Sequence, residues 1–168
     1  VYDCMDNSKG IELGEGLSSD YDIIKKAKQA KVISKSSGEY SGRIVIPESI
    51  EYEGVVYAVT SIGNDAFRGC SGLTSIVIPN SVTNIGEWAF NSCSGLTSIE
   101  IPNSVTSICG GAFRGCSGLT SMVVDEDNSY YDSRNNCNAI VESSSNTLIY
   151  GCKTTIIPNS VTSIGSFA

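Results

Sequence analysis

The sequence predicts a β-rich solenoid, and three observations support this prediction. First, seven apolar positions recur with a spacing of 23 residues, as the series Ile62, Ile85 and Ile108 shows. Second, each unit contains a stretch with the two-residue alternation of a β-strand. Third, a unit of this length cannot bury its own apolar face, whereas stacked units share one continuous core. The other six series are Ala66, Ala89, Ala112; Phe67, Phe90, Phe113; Cys70, Cys93, Cys116; Leu73, Leu96, Leu119; Ile76, Ile99, Met122; and Ile78, Ile101, Val124.

Each unit divides into a strand, a turn, a second extended piece and a compact turn. In the second unit the strand covers Leu73–Ile78, and Pro79 ends it because proline cannot donate a ladder hydrogen bond. A second extended piece follows at Val82–Ile85, and Gly86 ends it. Apolar residues one turn apart within residues 87–93 predict a short helical or 3₁₀ turn. Strands of successive units would pair in parallel, about 4.8 Å apart.

These positions carry a resemblance to a known family. The pattern Leu-x-x-Ile-x-Ile-Pro-x-x-Val-x-x-Ile-Gly-x-x-Ala-Phe-x-x-Cys resembles the BspA-like leucine-rich repeat of bacterial surface proteins, closely over Ile44–Val124 and again from Thr155. The resemblance implies a leucine-rich-repeat solenoid, a right-handed α/β horseshoe rich in β-structure, with a parallel concave sheet and short turns on the convex side. It also implies an extracellular or cell-surface location, with adhesion to host or matrix proteins reported for some members.

Five segments are expected along the chain. Residues 1–20 are predicted to be a flexible N-terminal segment, and residues 21–43 a β-strand cap for the apolar end of the first unit. Residues 44–124 carry the leucine-rich repeats, and the first repeat has extra residues that indicate a hairpin. Residues 125–154 are predicted to form a β-hairpin insertion, followed by a truncated further repeat at residues 155–168.

The two ends of the chain suggest that it is a fragment of a longer protein. Gly165–Ala168 aligns with Gly86–Ala89, so the chain stops one residue before the recurring core phenylalanine. Nothing there resembles the polar cap that normally closes a solenoid. No signal peptide is present at the start, so export would require one that this fragment does not contain.

Composition narrows the function classes. The chain has 168 residues and a net charge of −7, and an acidic chain repels phosphate backbones, so nucleic acid is not expected as a partner. The sequence has no histidine, which removes the commonest general base and the commonest metal ligand. No apolar run approaches the roughly 18 residues of a transmembrane segment. The prediction is a non-enzymatic protein without a cofactor.

No metal site is predicted, although two clusters contain possible ligands. Three cysteines repeat in phase and should form a buried structural ladder, because a straight ladder cannot converge on one ion: Cys70, Cys93 and Cys116. Four carboxylates gather near the insertion without the glycine and glutamate of a calcium loop, and a solvated acidic loop is the simpler interpretation: Asp125, Glu126, Asp127 and Asp132.

Cys137 and Cys152 are a possible cysteine pair. A hairpin centred between Ser144 and Ser145 would place them opposite each other, near enough for a disulfide. Cys152 also aligns with the leucine of the repeat, which favours two reduced thiols in contact. Both oxidation states stay open at this point.

The concave sheet is the candidate binding surface for a protein ligand, such as a host extracellular-matrix protein. Its outward positions are Thr74, Ser75, Val77, Thr97, Ser98, Glu100, Thr120, Ser121 and Val123. Such rows also occur on the polar face of any repeat protein, so an architectural stalk or spacer without a ligand is the first alternative. The second alternative is a carbohydrate-active site in the insertion that uses carboxylates such as Asp127 and Asp132.

Overall fold

Short parallel strands of successive coils stack on two sides of a shared apolar core in the computed structural model, which describes residues 11–12, 21–24, 27–34 and 40–168. The leucine-rich-repeat solenoid expected from the sequence is confirmed. The described part of the chain contains no helix with the length and hydropathy needed to span a membrane.

The concave sheet is built from the strands of the Leu-x-x-Ile-x-Ile motif and from two strands before them. Its members are β1 (Ile11–Glu12), β4 (Gly42–Val45), β7 (Leu73–Val77), β9 (Ser98–Ile101) and β11 (Ser121–Val124). Pairing is parallel between β1 and β4, β4 and β7, and β9 and β11. Strand β1 lies in the segment predicted to be a flexible N-terminal segment, and the rest of residues 1–20 lies outside the described residues.

A second sheet covers the other side of the core. It contains β2 (Tyr21–Ile24), β3 (Gln29–Val32), β5 (Ser49–Tyr52), β6 (Val55–Ile62), β8 (Asn84–Ile85) and β10 (Ser107–Ile108). Strands β2 and β3 form the antiparallel pair expected at the N-terminal end, and Ala30 and Val32 bury their side chains there. The extra residues of the first repeat form the β5–β6 hairpin, with Glu53 and Gly54 at positive φ in its turn.

Residues 64–69, 87–92 and 110–115 form the convex turns, which are isolated turns rather than helices. Within the first turn, Arg68 N–H donates to the Asp65 carbonyl at 3.0 Å, which is an i→i−3 bond of the 3₁₀ type. The N–H of Phe67, between these residues in sequence, instead donates to the Ala89 carbonyl of the next coil at 2.7 Å. The turns are therefore hydrogen-bonded from coil to coil, as the strands are.

The core is a set of side-chain ladders. Phe67 stacks on Phe90 at 5.2 Å between ring centroids, and Phe90 stacks on Phe113 at 5.3 Å. Coils approach each other so closely that a Cβ atom on Gly95 would lie 2.3 Å from the Ser71 carbonyl oxygen. This contact explains the glycine that precedes the leucine of each repeat.

The insertion contributes β12 (Tyr131–Asp132), β13 (Ala139–Glu142) and β14 (Thr147–Gly151), with a 3₁₀ turn at Arg134–Asn136 and with β15 (Ser163–Ile164) of the last repeat at its edge. The β13–β14 hairpin is antiparallel, and β14 pairs in parallel with β15. One face of the hairpin joins the main core through Ile140 and Tyr150. The other face forms a separate apolar cluster that includes Val141, Leu148 and Val161. The hairpin is thus inserted into the stack as an additional layer.

The register of this hairpin corrects the expected position of the cysteine pair. The register shifts between Ile140 and Val141, so that Ala139 lies opposite Gly151. The shift moves Cys152 away from the position opposite Cys137, and the Cys152 thiol donates instead to the Asn138 carbonyl at 3.2 Å. Both cysteines are free thiols. Burial raises the pKa of the Cys137 thiol.

Candidate functional site

Strands β7, β9 and β11 direct a continuous set of exposed or half-exposed side chains away from the core. Ser98 lies beside Ser121 and Glu100 beside Val123 in the parallel register. Val77 and Val123 are 41% and 43% exposed, while Ile76 and Met122 on the opposite face of the sheet are buried. The alternation of the strands therefore positions each of these residues as the sequence indicated.

The threonines of this surface have a structural role that the sequence analysis missed. Thr97 Oγ1 donates to the Thr74 carbonyl, and Thr120 Oγ1 donates to the Thr97 carbonyl, both at 3.3 Å. Thr154 continues the series by donating to the Thr120 carbonyl at 2.5 Å. These hydroxyl protons are used between coils and are not available to a ligand. The recurrence of threonine every 23 residues could have indicated this role.

The remaining positions define what we call the concave strip: Ser75, Ser98, Ser121, Val77, Glu100 and Val123. Within the described residues, the three serine hydroxyls have no hydrogen-bond partner, and the Glu100 carboxylate has no ion pair. The strip therefore presents free hydroxyls, exposed methyl groups and one isolated negative charge on a rigid sheet. Such a combination suits a polar rim around a small apolar contact.

The in-phase cysteines lie inside the solenoid. Cys70, Cys93 and Cys116 are buried thiols. The Cys93 thiol donates to the Phe67 carbonyl at 3.0 Å, and the same geometry recurs one coil later. The neighbouring Cys116 thiol and burial both raise the pKa of Cys93, which keeps this thiol protonated. Among the residues that the structure describes, no three His, Cys, Asp or Glu side chains are placed to hold a metal ion.

The insertion carboxylates are used for local structure. Asp132 accepts hydrogen bonds from Arg134 Nε at 2.7 Å and from Ser143 Oγ at 2.8 Å. Partial burial opposes ionisation of this carboxyl, but the bonds from Arg134 and Ser143 hold its pKa below the usual range. Asp125 Oδ1 accepts the Asp127 N–H at 2.9 Å in a tight turn. A glycosidase general acid needs a raised pKa, so Asp132 has the opposite property.

Trp88, on the convex side, is a second feature that sequence reasoning missed. Its φ is +57°, in the left-handed region that costs a side-chain-bearing residue about 1–2 kcal/mol. The same phase holds Asp65 and Gly111, both at positive φ as well, and these residue types tolerate it better. The sequence could have indicated this feature, because the equivalent positions of the neighbouring repeats hold aspartate and glycine, whereas this repeat holds tryptophan.

The indole of Trp88 packs across the next coil. A Cβ atom on Gly111 would lie 2.6 Å from its ring carbons, so the ring occupies the space that glycine leaves open. Phe167 of the last repeat contacts the ring edge-on at 5.8 Å between centroids. The guanidinium carbon of Arg114 lies 5.6 Å from the ring centroid, within the range of a cation–π contact.

The comparisons with known proteins agree with this geometry. The model of the BspA-type leucine-rich repeat region matches residues 47–168 in six copies. A leucine-rich repeat protein from Bacteroides ovatus is 31% identical, and its crystal structure aligns with a TM-score of 0.61 over 86% of this chain and 35% of its own. The chain therefore spans about a third of that neighbour's length. None of the curated proteins matches the sequence significantly.

Two more distant solved structures share the fold. A leucine-rich repeat protein from Eubacterium ventriosum is 19% identical, with a TM-score of 0.56 over 77% of this chain and 39% of its own. The pneumococcal vaccine antigen PcpA is 16% identical, with a TM-score of 0.55 over 92% of this chain and 51% of its own. The repeat spacing, the stacked coils and the family match lead to one conclusion: the chain belongs to the BspA-type leucine-rich repeat family.

Proposed function

We propose that this chain is a non-enzymatic protein-interaction module of a bacterial cell-surface or secreted protein, and that the concave strip is its binding surface. The family assignment supports an interaction role. The cell-surface location follows from the resemblance to the repeats of bacterial surface proteins. One solved structure of this fold is described as a vaccine antigen, and a vaccine antigen is expected to be exposed on the cell. A host extracellular-matrix protein is the class of ligand that we propose.

The proposal rests on one observation: within the described residues, the serine hydroxyls and the carboxylate of the concave strip have no bonding partner. The threonine hydroxyls beside it are used between coils, whereas Ser75, Ser98 and Ser121 retain free hydroxyls. The exposed methyl groups of Val77 and Val123 would lose contact with water on binding, which favours association.

Glu100 gives this surface a preference for one kind of partner. Its carboxylate lies beside Val123 in the sheet register, and Val77 occupies the same phase one coil earlier. A lysine or arginine of the partner can place its charge on Glu100 while its aliphatic stem packs on the valines. The partner surface that fits best is therefore basic with apolar neighbours, and charge complementarity would set specificity more than affinity.

The test uses one substitution at two positions of the same coil. The Ser98→Arg variant places a long cation in the middle of the concave strip, and Ser94→Arg places it at an exposed serine in the turn before the strand. Binding to immobilised collagen, laminin and fibronectin is measured by surface plasmon resonance for the wild-type chain and both variants. We expect S98R to weaken binding about tenfold or more and S94R to leave it unchanged, with both melting temperatures near that of wild type.

Two outcomes would contradict the proposal. Equal losses for S98R and S94R would place the contact elsewhere on the molecule. Absence of binding to any matrix protein, together with a partner for a neighbouring domain of the full-length protein, would favour the architectural stalk. The carbohydrate-active alternative is not proposed, because Asp132 is held in its ion pair with Arg134.

A further inference from the structure

A cavity of about 490 Å³ lies on the convex side, away from the concave strip. Its lining residues are Arg68, Trp88, Asn91, Ser92, Arg114 and Gly115. They come from three successive convex turns, so the cavity follows the direction in which the coils stack. Its volume falls within the range of small-ligand sites in proteins.

Two of the residues that line the cavity are arginines, whose guanidinium groups are positively charged hydrogen-bond donors. Arg68 and Arg114 occupy the same phase two coils apart, on a chain whose net charge is −7. Arg68 forms an exposed ion pair with Asp65 at 3.1 Å. Within the described residues, the Arg114 guanidinium has no carboxylate partner, and it lies over the indole ring of Trp88. Stacking on the ring leaves the N–H edge of a guanidinium free to donate to an anion.

The other side chains make this cavity rigid. Asn91 Nδ2 donates to the Arg114 carbonyl at 3.0 Å, and Ser92 Oγ donates to Asn91 Oδ1 at 3.1 Å. Trp88 is held in left-handed backbone geometry and packed over Gly111. Residues in strained backbone conformations gather at ligand sites more often than elsewhere, because the surrounding structure must hold them there. The strained tryptophan and the cation pair are independent observations that lie in one cavity.

We infer that this cavity binds an anionic saccharide, a sugar chain that carries carboxylate or sulfate groups. Two guanidinium groups separated by an intervening coil suit an extended ligand with repeated negative charges. Asn91 Nδ2 has a second N–H, and the Ser92 oxygen can still accept a hydrogen bond, so both can bond to the hydroxyls of a sugar ring. The lining contains no aliphatic pocket of the kind that would anchor an acidic peptide.

The experiment uses Trp88 as its own reporter, since it is the single tryptophan of the sequence. Tryptophan fluorescence and isothermal titration calorimetry follow the addition of heparin-derived hexasaccharides and of oligogalacturonate to the complete chain. We expect saturable binding by both methods, and a loss of about tenfold or more in affinity for the Arg114→Gln variant. Arg43→Gln removes an exposed cation of strand β4 and serves as the charge-matched control, with unchanged affinity expected. Calorimetry keeps the comparison valid if Arg114 itself alters the fluorescence.

Four outcomes would overturn the inference. Binding of inorganic sulfate alone, with no gain from the saccharide, would reduce the cavity to a simple anion site. Equal binding of polyglutamate would remove the preference for a sugar, and equal binding of a neutral oligosaccharide would remove the need for charge. A matching loss in R43Q would show only nonspecific attraction between a polyanion and surface cations. All four are independent of the matrix-protein assay, because that assay concerns the concave strip.

Discussion

The regular coils and the insertion stack on their neighbours by different means. Between regular coils a ladder of backbone-to-backbone bonds recurs at every unit, as when the Gly86 N–H donates to the Ile62 carbonyl at 2.8 Å. At the insertion a side chain takes this role, since the Ile108 N–H donates to the Tyr131 hydroxyl at 3.1 Å. Bonds between backbone groups can form with almost any side chains in the coil. The bond to the Tyr131 hydroxyl requires a tyrosine at that position. The comparison teaches that the repeats tolerate variation in places where the insertion does not.

Tyr150 shows how the insertion ends the regular core. Its ring meets Phe113 edge-on at 5.3 Å and closes the row of stacked phenylalanines. Its hydroxyl donates to the Cys109 carbonyl at 2.7 Å and accepts the Ala112 N–H at 3.0 Å. Burial raises the pKa of this phenol, so the hydroxyl keeps the proton that it donates. One tyrosine thus adds hydrogen bonds to two backbone groups that also bond to each other within their coil, as the Ala89 N–H and the Gly86 carbonyl do in the preceding unit.

The largest effect is expected at Asn128, which occupies the phase of the buried Val82 and Val105. Its amide donates to the Pro102 and Val105 carbonyls and accepts two backbone N–H groups of the insertion. Asn128→Val restores the regular residue but removes four hydrogen bonds, and within the described residues only the Pro102 carbonyl keeps another donor, the Val105 N–H. We therefore expect a loss of about 3 kcal/mol in unfolding free energy. Urea denaturation measures it. A variant as stable as wild type would show that the insertion stacks without side-chain bonds.

An intermediate effect is expected at Asp132, in the ion pair that links β12 to the 3₁₀ turn. Because its pKa is lowered on folding, the carboxylate stabilises the fold fully above the ordinary aspartate pKa of 3.8, and this stabilisation is lost as the pH falls through the folded value. Asp132→Asn should cost about 1–2 kcal/mol at neutral pH and clearly less near pH 2, below the ordinary aspartate pKa.

Urea denaturation at both pH values measures this difference. Asp127→Asn, at an exposed position in the same acidic stretch, is the control and should change stability by no more than about 0.5 kcal/mol at either pH. A D132N penalty of the same size in acid would show that the ion pair has no pH-linked role.

The smallest effect is expected in the regular coils, for serine in place of Cys93. Serine at this position can donate to the Phe67 carbonyl as the thiol does, so Cys93→Ser should cost only about 1 kcal/mol. Cys93→Ala removes the donor and leaves a small cavity, and we expect it to cost about 2 kcal/mol. Thermal and urea denaturation compare the two variants. If serine were the more damaging replacement, the Phe67 carbonyl would not be the acceptor that stabilises this position.

Much of the coil architecture could be predicted because one spacing determines it. The strand of each unit follows from alternation that ends near a proline, as in Leu73–Val77, and the antiparallel pair of β2 and β3 follows from β-branched residues around a charged turn. The register shift at Ile140 could not be predicted, because no glycine or proline marks it and the bulge depends on packing between two layers. The expected position of Cys152 was wrong for this reason.

The candidate site was predictable in position but not in detail. Alternation indicated that Ser98 and Glu100 face outward, and they do. It could not distinguish the threonines that bond to the preceding coil from the serines that do not, because both are small hydroxyl residues at outward positions. The cavity at Trp88 was also not predictable, since it depends on a backbone angle and on the space above Gly111.

The threonine series has a consequence for how genes of this kind can change. Thr97 and Thr120 each bond to the threonine 23 positions earlier, so loss of one whole unit would bring Thr120 against Thr74 with identical chemistry. Duplication of a unit would likewise extend the series without a new type of contact. Recombination between the near-identical repeat segments of the gene can therefore lengthen or shorten the protein while the fold is retained. The insertion has no such freedom, because Asn128 and Tyr131 each occur once, and it would mark a fixed point in a molecule of variable length.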